Sequence, residues 1–333
     1  MAHLKISSTN RTDEHNNSLN HNKLKKLTEK LLPSVKLLLM DEKIPPDPSL
    51  SNALAVIYIP LALSLLNKQT HSPLIVGING SQGSGKSTLA KIIKKILEQG
   101  FNKKVISFSI DDLYKTRDQR KQLAKTLHPL LSTRGVPGTH DTELGISIFN
   151  QLLNKKQTEC WIPVFDKAID DRLPESQWTH VNGNCDIILF DGWCVGSIAQ
   201  TSEQLKTPIN TLEKQQDYDG RWRSFVNQQL NGPYAELFSF IDFLIMLEIP
   251  SFNKVYEWRK LQEKKLSAHT ANKQGSKTAI MSDPEIEHFI MHFERITKHT
   301  LEEMPERCDI LLPIEDNHQI KKISTRRASN QKN

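Results

Sequence analysis

The sequence has little of what builds disulfide-stapled, metal-knuckle or low-complexity proteins. Its 333 residues hold only four cysteines, Cys160, Cys185, Cys194 and Cys308, and no two form a C-x-x-C pair. That scatter excludes a disulfide framework and a zinc knuckle, and a reducing cytoplasm is the expected location. Fourteen glycines and sixteen prolines are ordinary for this length, so collagen-like and Gly/Pro-rich architectures are excluded. The N-terminal stretch MAHLKISSTNRTDEHNNSLN lacks the apolar run of a secretory signal. The longest apolar stretch, Ala53 to Leu66, is 14 residues long and contains Pro60. It falls short of the roughly 20 residues that span a bilayer, so no membrane span is expected. No G-x-S-x-G elbow is present, which excludes an α/β-hydrolase. His288 and His292 stand four apart, but Phe289 follows the first where a zincin carries Glu.

Net charge is scarce too. Lys and Arg total 44 against 38 Asp and Glu, a balance of +6. Five of those charges, Lys321, Lys322, Arg326, Arg327 and Lys332, lie between His318 and Asn333, where no acid occurs. The body is close to neutral, and no nucleic-acid footprint on the fold is implied. Hydrophobic residues make up 37%, enough for a sizeable core.

The polar residues 1–22 are expected to be disordered and 318–333 to form a basic, solvated tail. Residues 23–70 read as a helical extension. In it Leu24, Leu27, Leu31, Leu32 and Val35 give one amphipathic helix, interrupted or kinked at Pro33, and a second apolar helix runs from Leu50 to Leu66. Residues 71–317 alternate short apolar runs with helix-period segments. LIVGI, KVISFSI, DIILF, FLIML and DILLPI are runs of the kind that strands buried on both faces show. The expected fold is therefore α/β, a five-stranded parallel sheet flanked by helices.

LIVGI leads into Asn79, Gly80, Ser81, Gln82, Gly83, Ser84, Gly85, Lys86, Ser87 and Thr88, followed by the helical LAKIIKKIL. This is G-x-x-x-x-G-K-S between a strand and a helix, a phosphate-binding P-loop. Its glycines let backbone N–H groups face an anion, and the helix N-terminus adds positive charge. Lys86 would reach the β- and γ-phosphates of ATP, and the Ser87 hydroxyl would ligate Mg²⁺. Two further strands end in acids: KVISFSI in Asp111 and Asp112, DIILF in Asp191. Ligands of open α/β sheets sit beyond these strand ends, so the carboxylates are candidates for holding Mg²⁺ and for accepting a hydroxyl proton. Capping the next helix is the competing role for Asp111 and Asp112. A Gly/Pro loop carrying Arg134 and His140, and a charged loop carrying Asp166, Asp170, Asp171 and Arg172, would clamp an anionic acceptor or be surface turns. Asp141 stands where a helix N-cap would. Seven basic residues between Asn253 and Lys277, against two acids, suggest a lid that includes Trp258, Arg259 and Gln262.

In order, GINGSQGSGKST, SIDDLY, RGVPGTHD, PVFDKAIDDR, ILFDGW and EWRKLQE resemble the bacterial P-loop kinases grouped with D-glycerate 3-kinase. More distantly they resemble uridine kinase, phosphoribulokinase and pantothenate kinase. The resemblance runs from about residue 50 to 315. It implies a Mg·ATP-dependent kinase acting on a hydroxyl of a small molecule, with D-glycerate as leading acceptor. It also implies that Asp111 is the proton acceptor, with Lys86 and Asp191 beside it in the catalytic set. Asp191 stands where many relatives carry Glu, and the shorter arm implies a water-mediated metal contact. Asp112, Tyr114, Arg134, His140, Asp166 and Arg172 are expected around the acceptor, Arg134 first and Arg172 second for a carboxylate. The competing functions are a uridine- or pantothenate-type kinase, or an ATP-dependent switch acting on a partner.

Overall fold

The computed structural model of the protein describes residues 21–70, 73–270 and 281–325, and within these the side chains of all but 262–270. The stretch expected to be disordered lies, through residue 20, outside the described residues.

Helix α1 (His21–Asp41) opens the described chain. It runs through Pro33 without the expected break. Burial of Leu31, Val35 and Leu39 along one stripe offsets the hydrogen bond that the proline cannot donate. Helix α2 (Leu50–Lys68) carries one π turn, Leu54–Tyr58, and is longer than the 14-residue apolar stretch. By length and composition it is long and apolar enough to cross a membrane. In this fold Leu54, Ile59, Leu61, Ala62 and Leu65 are spent on the core.

Strand β1 (Leu74–Gly80) follows, then α3 (Lys86–Phe101), β2 (Val105–Ser109), α4 (Arg117–Thr126) and α5 (Thr142–Leu153). Four short strands, β3 (Glu159–Ile162), β4 (Phe165–Asp166), β5 (Asp171–Arg172) and β6 (Thr179–Asn182), pair as two nested hairpins, β3 with β6 and β4 with β5. Then come β7 (Ile187–Gly192), helix α6 (Arg221–Asn231), β8 (Phe243–Glu248), α7 (Asn253–Thr270), α8 (Asp283–Glu303), β9 (Ile310–Pro313) and β10 (Ser324–Thr325).

The main sheet has the order β10-β9-β8-β1-β7-β2. Five strands are parallel, as expected, but a sixth, β10, pairs antiparallel with β9. The chain expected to be a solvated tail from His318 therefore reaches the sheet edge through Thr325. Residues 326–333 lie outside the described residues. Alternation fills two layers. Leu74, Val76, Ile78, Ile187 and Leu189 face the core under α1, α2 and α3, whereas Ile75, Ile188 and Phe190 face the opposite core with Ile148, Phe149 and Trp222. The carboxyl ends of β1, β2 and β7 thus open side by side, in register, at one rim.

Candidate active site

The P-loop is shaped by two backbone positions that only glycine holds easily, Gly83 at φ +81° and Gly85 at φ +90°. The amide of Ser84 donates to the carbonyl of Ser81 at 3.2 Å, tightening the loop before α3 begins. The first-turn amides of α3 have no intrahelical acceptor and point to the loop. The hydroxyls of Ser81 and Ser84 are buried with no hydrogen-bond partner among the described residues, as is Gln82 Oε1. Two orphaned hydroxyls at a helix N-terminus fit a phosphate chain, whose oxygens would accept hydrogen bonds from them. Asn79 ties the strand below the loop to the end of β7, donating to the carbonyl of Val195 at 2.8 Å.

Asp191 and Ser87 meet across the strand ends. The Ser87 hydroxyl donates to Asp191 Oδ1 at 3.0 Å, and Ser109 Oγ lies 3.4 Å from the same oxygen. Burial holds the Asp191 carboxyl above the usual range, opposed by the nearby Lys86 ammonium. One hydroxyl and one carboxylate are a donor set suited to a hard cation that takes its remaining ligands from phosphates and water. Among the described residues no group of three or more His, Cys, Asp or Glu could hold an ion.

The pair Asp111–Asp112 divides its roles. Ser109 caps the turn Ile110–Leu113, accepting from the Asp111 amide at 3.2 Å, and Asp112 Oδ2 reaches back to the Ser109 amide at 2.9 Å. Capping therefore takes Asp112, and that residue also lines a cavity with Lys104, Ile162 and Cys185 into which no P-loop residue faces. Asp111 carries its carboxylate to the crevice, where Lys167 Nζ sits 2.7 Å from Oδ2. Burial pushes Asp111 up, but the Lys167 and Lys86 ammonium groups outweigh it and hold the carboxyl down at about 2. Burial with little compensation pushes Asp112 up to about 6.

The two loops expected to face an acceptor come together over Asp111. Tyr114 is buried and stacks on the His140 ring, with centroids 4.3 Å apart. His140 Nδ1 lies 2.6 Å from the Tyr234 hydroxyl, and burial drives its pKa down to about 3, so the ring is neutral. Its Nε2 is buried with no partner among the described residues. Asp141 does cap α5, accepting from the Leu144 amide at 3.2 Å, and its other oxygen takes Arg172 Nη1 at 3.1 Å. Arg134 Nη1 pairs with Asp170 and lies over the Phe165 ring, 5.6 Å from its centroid. Asp166 turns the hairpin tip by accepting from the Ala168 amide at 2.8 Å.

Several residues of this site were given no role by the sequence. Tyr234 receives the amides of Gly138 and His140 and holds the loop from 94 to 96 positions away. Trp193 donates to the Gly135 carbonyl at 2.9 Å. Arg120, almost fully buried, bonds the Asp170 carbonyl at 2.6 Å and its carboxylate at 3.0 Å. Lys167 sat within a recognised segment without a role. The Gly135 backbone at φ +141° passes against Phe293, and a Cβ there would overlap the Phe293 ring. Gly135→Ala is expected to cost about 1–3 kcal/mol from overpacking and backbone strain, read as a lowered Tm.

The expected lid is corrected in one respect. Trp258 is buried in the core beneath α7 and meets the His318 ring at 4.3 Å, so it anchors the helix and does not close over phosphates. Arg259 lies 5.4 Å from the centroid of Phe289 on α8. Gln262 falls on α7, with its side chain outside the described residues, as is the stretch 271–280.

The chain is similar to known kinases. The chain is 35% identical over 241 residues to the uncharacterized kinase mug58 of Schizosaccharomyces pombe, covering 69% of this chain and 83% of that one. It is 29% identical over 229 residues to the chloroplastic D-glycerate 3-kinase of Arabidopsis thaliana, covering 66% of this chain but only 46% of that protein's length. The chain belongs to the P-loop kinases of the D-glycerate 3-kinase-like group. It is an ATP-dependent small-molecule kinase. A family model described as the KAP family P-loop domain matches residues 55–217 of this kinase. The structure of D-glycerate 3-kinase from Cryptococcus neoformans superimposes with a TM-score of 0.64 at 22% identity, covering 80% of this chain and 97% of that one, which shows the shared fold.

Proposed function

We propose that this kinase transfers the γ-phosphoryl group of Mg·ATP to a hydroxyl of a small hydroxy acid, with D-glycerate as the leading acceptor. The observation that carries this reading is an ionised carboxylate, Asp111, at a strand end beside the P-loop and paired with Lys167, while Arg134 and Arg172 on the two loops above it pair with Asp170 and Asp141. Cations that can exchange one carboxylate partner for another lower the cost of bringing an anionic acceptor beside ATP phosphates. A nucleoside would instead call for neutral hydrogen-bonding contacts.

The acceptor oxygen attacks the γ-phosphorus as the bond from that phosphorus to the bridging oxygen breaks. ADP leaves with the bridging oxygen, and the hydroxyl proton passes to Asp111. Lys86 and the P-loop amides stabilise charge on the phosphoryl oxygens. Ser87 and Asp191 would hold Mg²⁺, which when bound neutralises charge on the phosphates.

The reading is tested by ADP release with and without a panel of hydroxy acids, nucleosides and pantothenate. Stimulation led by D-glycerate is the expected result. A neutral nucleoside or pantothenate outcompeting every hydroxy acid would overturn it, as would stimulation by a protein partner alone. Arg134 has one guanidinium nitrogen on Asp170 and a second edge for an acceptor carboxylate. Arg134→Lys should raise the acceptor KM about tenfold through loss of fork geometry, with the ATP KM nearly unchanged. Weaker ATP binding with an unaltered acceptor KM would remove Arg134 from the acceptor site.

A further inference from the structure

Around Asp111 each guanidinium has a carboxylate elsewhere to pair with: Arg134 and Arg120 share Asp170, and Arg172 has Asp141. Lys167 pairs with Asp111 itself. The hairpin that presents it is pinned on both legs. Asp170 is gripped by buried Arg120, Asp171 accepts from the Arg117 amide at 2.9 Å, and the Leu173 amide bonds the Val164 carbonyl at 2.8 Å. At the tip, Lys167 is 61% exposed on a flexible four-carbon stem.

The other groups facing Asp111 have different engagements. Lys86 opens α3 beside the phosphate loop, and the His140 ring is neutral and bonded to Tyr234. Asp191 is bonded to Ser87 and Asp112 to the Ser109 amide, while Tyr114, stacked on His140, adds a neutral hydroxyl hydrogen bond to the Asp111 carboxylate. Among the described residues, Lys167 is the cation in hydrogen-bond contact with Asp111. An ammonium on a carboxylate oxygen competes with the proton which that oxygen must accept from a nucleophile. An arriving carboxylate offers the ammonium another partner within the same crevice.

We propose that Lys167 reads the charge of the acceptor: without an anion it holds Asp111 in an ion pair and restrains proton transfer, and an acceptor carboxylate draws it off, releasing Asp111 to the hydroxyl. The inference rests on the hydroxy-acid reading above. It gives that site a second property, suppression of wasteful hydrolysis. With the pair closed, a water near the γ-phosphate has no base to take its proton. Neutral alcohols are discriminated against in kcat as well as in binding.

The experiment measures ADP release by the full-length protein with Mg·ATP and no acceptor, then with D-lactate. Lactate carries the carboxylate and 2-hydroxyl of glycerate but lacks the 3-hydroxyl. Lys167→Met should hydrolyse ATP about tenfold faster than wild type without any acceptor, because Asp111 then serves water. D-lactate should speed wild-type hydrolysis several-fold and leave Lys167→Met unchanged. Equal or slower hydrolysis by Lys167→Met would overturn the proposal. So would a lactate response of the same size in both proteins, or none in either. Failure of the hydroxy-acid reading would look different: wild type would phosphorylate no hydroxy acid at all, whatever Lys167→Met did to hydrolysis in buffer alone.

Discussion

Lys86→Ala is expected to abolish phosphoryl transfer, with a fall in kcat of at least about 10³, while leaving the thermal unfolding midpoint close to that of wild type. The two halves of this expectation come from different places. Lys86 opens α3 on a loop whose shape is set by Gly83, Gly85 and the Ser84–Ser81 turn, so its side chain supports no core contact. Truncation therefore opens no cavity. Its ammonium is nevertheless close enough to bear on the charge of both Asp111 and Asp191, the two carboxylates at the neighbouring strand ends. Its removal takes a flexible cation from the transferring phosphoryl group and raises the net negative charge of the crevice by one. Steady-state ADP release with D-glycerate, alongside a melting curve, separates the two halves. A variant with near wild-type kcat would show that the loop does not serve this chemistry. A large fall in melting temperature would show that the lysine is structural.

What the sequence revealed follows the range of the forces involved. The P-loop, the strand ends and the parallel core are local: a β-branched run, a glycine pattern and a helix period each sit within about a dozen residues. Asp111, Asp191 and Ser87 could therefore be placed at one rim from spacing alone, and the structure brings Ser87 and Asp191 to 3.0 Å. The clamps on the acceptor loop were not legible, because they are tertiary. The Tyr234 hydroxyl and the Arg120 guanidinium reach the site from distant elements, and nothing in their immediate sequence marks them. Trp193 closes the segment ILFDGW, which did not show that its indole would reach the Gly135 carbonyl. The same limit explains Trp258: its basic neighbours read as a lid, but its indole is swallowed by the core. Pro33 and β10 failed for the opposite reason. A local rule, that proline breaks helices and that basic ends stay solvated, lost to packing along α1 and to a strand edge open at β9.

The division of labour between Asp111 and Asp112 yields the sharpest contrast. Asp111→Asn should lower kcat by about 10² to 10⁴, the usual contribution of a general base, with little change in ATP affinity. Asp112→Asn should leave kcat within a few-fold, since an amide oxygen can still accept from the Ser109 amide and keep the turn that carries Asp111. Stability should separate them as well. The Asp112 carboxyl is raised in the folded protein to about 6, above its ordinary 3.8. The native state therefore holds a proton that the unfolded chain has already released between these values. Its contribution is full below about pH 4 and falls as pH rises through 6. Asp112→Asn removes that penalty, so the variant should be more stable than wild type at pH 8, by up to about 3 kcal/mol, and show no gain at pH 4. Asp111 behaves in the reverse sense. Its pKa is held down at about 2, so its ion pair with Lys167 stabilises the fold above the ordinary carboxylate range and is lost as pH falls toward 2. Asp111→Asn should accordingly lose a little stability at neutral pH. Denaturant unfolding at pH 4 and pH 8, with kcat measured on the same preparations, decides the assignment. If Asp112→Asn proves the catalytically damaging change and Asp111→Asn the mild one, the base is Asp112 and the capping geometry at Ser109 has been misjudged.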